Sequence, residues 1–289
     1  MSRTIRLVAP ARKISKEELQ PAFDVLKKNG YTVSYSELTF GNHHQYSGTE
    51  EERISDFQSA LESGDSDILL CVRGGYGTLR IIDRIDFSSL LKQPKLICGY
   101  SDITVLHNHL LARYNISSLH CSMPVNFNTN TPEALQSLID AWNGNPLHYS
   151  VSSHPLNRDG NASGILFGGN LSLMYALQGS ASFPDPKGKI LFLEDLDEYL
   201  YHIDRMMLSL KRSGVLESIS GLIVGGMTDM KDNAIPFGKS AEEIIREHVE
   251  EYHYPVCFGF PAGHQSDNRA LWMGKELKLS ISDRAEIRF

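Results

Sequence analysis

The chain is short of cysteine, basic charge and long apolar runs, and each shortage removes a class of protein. Four cysteines (Cys71, Cys98, Cys121, Cys257) are spread over 289 residues without a Cys-x-x-Cys pair. A disulfide scaffold and a cysteine-type zinc site are therefore poor starting points. Lys and Arg number 28 against 35 Asp and Glu, a net charge of -7. A dedicated nucleic-acid binder needs a basic face instead. Apolar stretches such as Ile68 to Val72 fall far short of the about 18 residues of a membrane span. Met1 to Ser15 holds no apolar core followed by a small-residue cleavage site, so no secretory signal is expected. No internal repeat or low-complexity tract is visible. With 41% hydrophobic and 22% charged residues, the expectation is a reduced, cytoplasmic enzyme or binding protein of one large or two modest domains.

What is present alternates between strand and helix patterns. Ile5 to Ala9, Tyr31 to Tyr35, Asp67 to Val72 and Lys95 to Cys98 read as strands, the third an apolar run of the kind a parallel sheet buries on both faces. Between them, Ser15 with Glu18 and Thr49 with Glu52 form capping boxes. The first helix runs to a Gly30 stop, with Pro21 expected to delay its start, and the second places Ile54, Phe57 and Leu61 on one face. A helix is expected from about Thr78, one after Ser101 and another opening at Thr131-Pro132. This βαβα order predicts a doubly wound parallel sheet over 1–145. Asn143 to Pro146 and the polar run to Ser163 suggest a boundary, with a linker over 146–162. Residues 163–289 then read as a smaller α/β domain with a mixed sheet. Its strands lie near 165–167, 189–193, 222–224, 256–258, 277–281 and 286–289, and its helices near 170–178, 198–213 and 240–252.

The most informative segment for chemistry is Leu96-Ile-Cys-Gly-Tyr-Ser-Asp-Ile103. A strand ends, glycine allows a bend, and a helix opens beside Ser101. Open α/β sheets bind ligands beyond the carboxyl ends of their strands, and a serine there has the setting of a nucleophile elbow. Ile103 stands where the second glycine of G-x-S-x-G would be, and the competing reading is that Ser101 or Asp102 merely caps the helix. Arg73-Gly-Gly-Tyr-Gly77 ends the preceding strand and offers backbone N–H groups for an oxyanion hole, or is a plain tight turn. It matches neither a dinucleotide nor a Walker loop.

A serine nucleophile needs a base. Of 11 histidines, His43 and His44 lie in a polar loop, and His107, His109, His202 and His248 in helical patterns. His264 closes the loop Gly259-Phe-Pro-Ala-Gly-His264 after a strand, the kind of fixed loop that often carries function. Glu194 ends an apolar strand, followed by Asp195, Asp197 and Glu198. This acidic group lacks the order of a calcium loop, and its later members fit a helix N-terminus. Arg205 is expected to pair with an acid.

Taken in order, Val72-Arg-Gly-Gly-Tyr-Gly77, Gly99-Tyr-Ser-Asp102, Gly168-Gly-Asn-Leu171, Leu193-Glu-Asp195, Ile203-Asp-Arg205 and Gly259-Phe-Pro-Ala-Gly-His264 resemble the LD-carboxypeptidase family of serine peptidases, the murein tetrapeptide carboxypeptidases. The resemblance covers nearly the whole chain. It implies a flavodoxin-like N-terminal domain, a C-terminal α/β domain, and a triad split between them. Ser101 would be the nucleophile, Glu194 the orienting carboxylate and His264 the base, with an oxyanion hole from the N–H groups of Asp102 and Gly75. It further implies a murein peptide substrate ending in D-Ala, no metal, no cofactor and a homodimer, with no nucleic-acid or membrane partner.

Two other enzymes compete. Microcin C self-immunity peptidases share the triad but stack a nucleotide on an aromatic loop, and residues 150–162 hold no Trp, Tyr or Phe. A Cys–His–Glu amidotransferase would use Cys71 or Cys121, yet Cys71 sits inside an apolar strand and reads as buried. A two-domain binding module without turnover is the non-enzymatic alternative.

Overall fold

The computed structural model describes residues 3–289. Its first sheet is built from β1 (Thr4–Val8), β2 (Thr32–Ser34), β3 (Ile68–Cys71), β4 (Leu96–Gly99) and β5 (Ser118–His120), all parallel, in the order β2-β1-β3-β4-β5. That is the flavodoxin-like order, and it places the ligand crevice beyond the carboxyl ends of β1, β3 and β4. The connecting helices are α1 (Lys16–Lys28), α2 (Glu50–Glu62) and α3 (Thr104–Tyr114), with α4 (Pro132–Asn143) after β5.

Both capping boxes form: Ser15 and Glu18 bond reciprocally at the start of α1, and Thr49 and Glu52 do so at α2. Pro21 does not delay α1, which already begins at Lys16. The acceptor that Pro21 leaves without an N–H is the carbonyl of Glu17, an exposed residue whose carbonyl water can serve, while Leu19, Ala22 and Leu26 face the core. The expected helix from Thr78 is also absent. Short 3-10 turns at Thr78–Arg80, Ile82–Arg84 and Ser88–Leu91 take its place. The β-branched pair Ile81-Ile82 lowers helix propensity, and Asp86 accepts the Ser88 N–H at 2.9 Å in a local turn that competes with a helix.

The second sheet has seven strands: β6 (His148–Ser152), β7 (Gly160–Asn170), β8 (Ile190–Leu196), β9 (Gly221–Thr228), β10 (Val256–Cys257), β12 (Glu276–Ile281) and β13 (Arg284–Arg288). Between β10 and β12, β11 (Leu271–Met273) leaves this sheet and pairs antiparallel with β5, so the C-terminal part of the chain completes the first sheet. Strands β7 to β10 are parallel, while β12, β13 and β6 add antiparallel pairs, the mixed sheet expected. Helices α5 (Leu171–Leu177), α6 (Leu200–Arg212), α7 (Val215–Ser218) and α8 (Ala241–His248) cover it. The stretch read from composition as a linker thus carries β6 and the start of β7, leaving an extended connection over 153–159.

One apolar cluster runs from Leu7, Leu70 and Trp142 in the first half to Phe192, Phe260 and Leu277 in the second, so the two sheets share core. Polar contacts reinforce the junction where it matters. Asn108 of α3 both donates to Gly168 O (2.9 Å) and accepts from Gly168 N–H (3.1 Å), and Thr104 Oγ1 accepts the Asn170 N–H (3.0 Å). The helix that starts beside Ser101 is thereby fastened to the end of β7, and Asn170 is the register partner of Glu194 on β8. No helix among the described residues is long and apolar enough to cross a membrane.

Candidate active site

Ser101 stands where β4 gives way to α3. Tyr100 is extended, Ser101 takes φ 63, and a 3-10 turn at Ser101–Ile103 leads into the α-helix. A left-handed serine costs about 1–2 kcal/mol relative to its ordinary conformation. It lifts the hydroxyl out of the turn without the second glycine of the usual motif. The conformation persists because Asp102 is anchored below it: its buried carboxylate accepts the Thr78 N–H at 2.8 Å. Burial pushes the Asp102 carboxyl up, against the bonds from Thr78.

Glu194 lies near the carboxyl end of β8 and is fully buried. Opposite it the ladder to β9 is irregular: Leu193 pairs with Val224 and Asp195 with Met227, so Gly225 and Gly226 face a single residue. Such a bulge bends a strand and re-aims side chains, and here it admits the loop that carries His264, with the Gly226 N–H donating to Ala262 O at 2.9 Å. His264 Nδ1 lies 2.6 Å from Glu194 Oε2, the backbone N–H of His264 donates to the same oxygen at 3.2 Å, and His264 Nε2 lies 3.0 Å from Ser101 Oγ. The carboxylate thus grips both ring and backbone, which fixes Nε2 toward the serine. Burial pushes the His264 imidazole down, but the charge and hydrogen bond of Glu194 outweigh it and the net shift is upward. Burial pushes Glu194 up, and the His264 imidazolium outweighs it to leave a net downward shift.

The loop Arg73-Gly-Gly-Tyr-Gly77 closes the third side. A side-chain carbon built on Gly74 would lie 2.9 Å from Ser101 Cβ and 3.3 Å from Asp102 N, so only glycine permits this approach. Gly74 O accepts the Arg12 N–H at 3.3 Å. In a trans peptide the next N–H, that of Gly75, points the opposite way. The Asp102 N–H lies in the first turn of its helix, where an amide has no intrahelical acceptor. All five residues singled out from the sequence, Ser101, Glu194, His264, Gly75 and Asp102, are therefore brought to one place. A cavity of about 430 Å³ is lined by Gly75, Ser101 and His264, with Arg12 from the segment after β1 and Asp197 and Glu198 from the segment after β8.

The remaining acids of the Glu194 segment disperse. Asp195 accepts from Asn170 Nδ2 (2.8 Å), Ser172 N–H (2.9 Å) and Leu196 N–H (2.8 Å); burial and the neighbouring Glu194 charge push its carboxyl up to about 7. Asp197 pairs with Lys231 at 2.7 Å and Glu198 with His202 at 2.6 Å. Arg205 takes no acid among the described residues; its guanidinium lies over the Tyr201 ring, 5.1 Å from the centroid. Cys71 and Cys121 are both fully buried, and burial pushes both thiols well above the ordinary value, which removes them as nucleophiles.

Several supporting residues carry no motif of their own. Asn268 Oδ1 accepts the Gly263 N–H at 2.8 Å and so holds the loop next to His264. Buried His107 bridges Ser118 Oγ (2.8 Å) and Gly99 O (2.9 Å) behind the elbow, and burial pushes it down to about 3. Arg53 of α2 donates to Pro10 O and Gly77 O, at 2.6 and 2.9 Å, and pins the glycine loop from below. An arginine on the buried face of α2, beside Phe57, was the one sequence signal for that role.

The chain matches the LD-carboxypeptidase N-terminal domain over residues 5–121 and the LD-carboxypeptidase C-terminal domain over 163–279. A probable murein peptide carboxypeptidase of Bacillus subtilis (strain 168) is 30% identical over 98% of this chain and 91% of its own length. The crystal structure of muramoyltetrapeptide carboxypeptidase from Oxalobacter formigenes superposes with a TM-score of 0.90 at 28% identity, covering 99% of this chain and 98% of that one. The microcin C7 self-immunity protein MccF in complex with aspartyl sulfamoyl adenosine has a TM-score of 0.89 at 20% identity, over 100% of this chain and 96% of its own, a likeness of fold. With both halves matched in order and a relative aligned end to end, this chain belongs to the LD-carboxypeptidase family and is a serine-type carboxypeptidase, a hydrolase.

Proposed function

We propose that the enzyme removes the terminal D-alanine from murein tetrapeptides, cutting the bond between the L-centre of a diamino acid and D-Ala, with Ser101 as nucleophile, His264 as general base and Glu194 as the carboxylate that orients it. The observation that carries the reading is the unbroken hydrogen-bonded chain Ser101–His264–Glu194, with Gly74 packed against the Ser101 hydroxyl and the Asp102 N–H. The likeness to a probable murein peptide carboxypeptidase of Bacillus and to the muramoyltetrapeptide carboxypeptidase of Oxalobacter supports the substrate class.

In this reading His264 Nε2 takes the Ser101 proton as Oγ attacks the scissile carbonyl. Glu194 holds the imidazole tautomer and stabilises the imidazolium that forms. The N–H groups of Gly75 and Asp102 stabilise the oxyanion, each contributing about 3 kcal/mol. His264 then protonates the departing D-alanine amine, and water, deprotonated by the same imidazole, resolves the acyl-enzyme. The positive φ of Ser101 fits this use, since strained backbone concentrates at functional sites.

The test is mass spectrometry of L-Ala-D-Glu-meso-diaminopimelate-D-Ala incubated with wild type and with Ser101→Ala. Loss of one alanine with wild type alone is the expected result. Retention of the peptide by both proteins would overturn the substrate, and equal turnover by both would overturn the nucleophile.

A further inference from the structure

A carboxypeptidase must distinguish a chain end from an interior bond, and the only feature that marks the end is a free carboxylate one residue beyond the cut. The cavity over Ser101 is lined by charges from both sheets. Asp197 and Glu198 follow β8, and their charge disfavours a carboxylate beside them even though Lys231 and His202 pair with them. Arg12 and Arg73 follow β1 and β3. Arg73 is already engaged, donating to Glu18 Oε1 at 3.2 Å and Lys13 O at 3.4 Å. The Arg12 guanidinium has no hydrogen-bond or ion-pair partner among the described residues, and its side chain is exposed to the cavity.

Its position is set by backbone. The Arg12 N–H donates to Gly74 O, and its stem lies flat against Gly75: a side-chain carbon built on that glycine, which has φ +104, would meet Arg12 Cδ at 2.0 Å. The Arg12 stem is therefore seated on Gly75, and the free cation belongs to the same cavity as Ser101 and His264. An unpaired guanidinium is suited to bind a carboxylate bidentately.

We propose that Arg12 receives the free carboxylate of the departing residue and so confines cleavage to the chain end. The inference rests on the hydrolytic reading given above. Because this contact exists both in the bound substrate and in the transition state, its loss raises KM more than it lowers kcat.

The experiment compares the tetrapeptide with its C-terminal carboxamide as substrates for wild type, Arg12→Gln, Arg12→Lys and Arg73→Gln, following release of alanine or alaninamide by mass spectrometry. Wild type should prefer the free acid. Arg12→Gln should lose about 10- to 100-fold in kcat/KM on the acid, the range for a charge-assisted bond, and little on the amide, so that the preference collapses. Arg12→Lys should recover part of it. A purely structural role would slow both substrates alike. An intact acid preference in Arg12→Gln, an equal loss on both substrates, or collapse in Arg73→Gln instead would overturn the assignment while leaving the hydrolytic reading standing. No cleavage of either substrate by wild type would overturn the hydrolytic reading, and this inference with it.

Discussion

His264 Nε2 lies 3.0 Å from Ser101 Oγ although 163 positions separate the two residues in the chain. They come from different sheets, and the junction between those sheets is what brings them together. Thr104 and Asn108, on the helix that follows Ser101, bond to Asn170 and Gly168, and Asn170 is paired in register with Glu194. Ser101 and Glu194 are thus connected through four residues outside the proposed triad, and Glu194 in turn holds His264.

The left-handed conformation of Ser101 makes a stability prediction separate from activity. Ser101→Ala and Ser101→Gly should both lose turnover by at least about 10⁴-fold, because each lacks the hydroxyl. Glycine adopts φ 63 without steric cost. Ser101→Gly should therefore be more stable than Ser101→Ala by about 0.5–1 kcal/mol, the strain relieved less the extra freedom of the unfolded chain. Denaturant midpoints of the two inactive variants measure this directly. An alanine variant equal to or more stable than the glycine variant would contradict a strained elbow.

Adjacent carboxylates should separate cleanly. Glu194→Gln keeps the volume but can present an amide N–H₂ to His264, the wrong partner for the required tautomer. A loss of about 10³- to 10⁴-fold in kcat is expected. Asp195 points to Asn170, Ser172 and Leu196, all donors. Asp195→Asn confronts one of those buried donors with an amide, at a cost of about 1–3 kcal/mol of stability, yet leaves the Ser101–His264–Glu194 chain untouched. Its kcat per folded molecule should stay within about tenfold of wild type. Comparable losses of kcat at both positions would mean the carboxylate had been wrongly assigned.

The pH dependence follows from the same pair. In the proposed mechanism His264 acts as base only when neutral, and its titration is displaced upward from the ordinary 6.5 because Glu194 outweighs burial. The rising limb of kcat/KM should therefore have its midpoint above 6.5. In Glu194→Gln burial acts unopposed by that charge, and the limb of the residual activity should move to lower pH. Stability runs differently. The raised His264 contributes fully below 6.5 and loses its contribution as pH rises through its folded value; the depressed Glu194 contributes above 4.5 and loses it as pH falls through its folded value. The stability gap between wild type and Glu194→Gln should peak between about 4.5 and 6.5, below the pH of best activity. A gap that grew steadily toward alkaline pH would be inconsistent with the ion pair.

Much of this arrangement was legible in the residues. Ser101, Glu194 and His264 each stand at or just past a strand end, where local patterns are strong and open α/β sheets place their chemistry. The capping boxes were legible for the same reason: both partners lie within one turn. What was hidden depends on distant partners. β6 and the first half of β7 alternate exposed residues with buried or half-buried ones in a polar, glycine-containing stretch that looks like a linker until β12 and β13 pair with it. β11 returns to β5 from beyond β6 to β10. The free guanidinium of Arg12 beside Gly75 is likewise a meeting of two loops, and nothing in either loop alone announces it.

Arg53 supplies the last test, because it links a buried charge to the geometry of the oxyanion loop. The residue is 3% exposed, and its guanidinium donates to Pro10 O and Gly77 O and lies 4.9 Å from the centroid of the Tyr46 ring. These contacts tie the segment bearing Arg12 to the segment bearing Gly74 and Gly75. Arg53→Met fills similar space but leaves two carbonyls without their donor, at a cost of about 1–3 kcal/mol for each that stays buried. If the Gly75 N–H serves the oxyanion as proposed, loosening the loop displaces it, and misplacing a donor by about 1 Å costs of the order of 10²-fold. The expected signature is a fall in kcat larger than any rise in KM, partial recovery in Arg53→Lys, which restores a cation but not the fork, and further recovery of Arg53→Met by added guanidinium. A variant that is merely less stable, with kcat per folded molecule unchanged, would show that the clamp holds the fold and not the site.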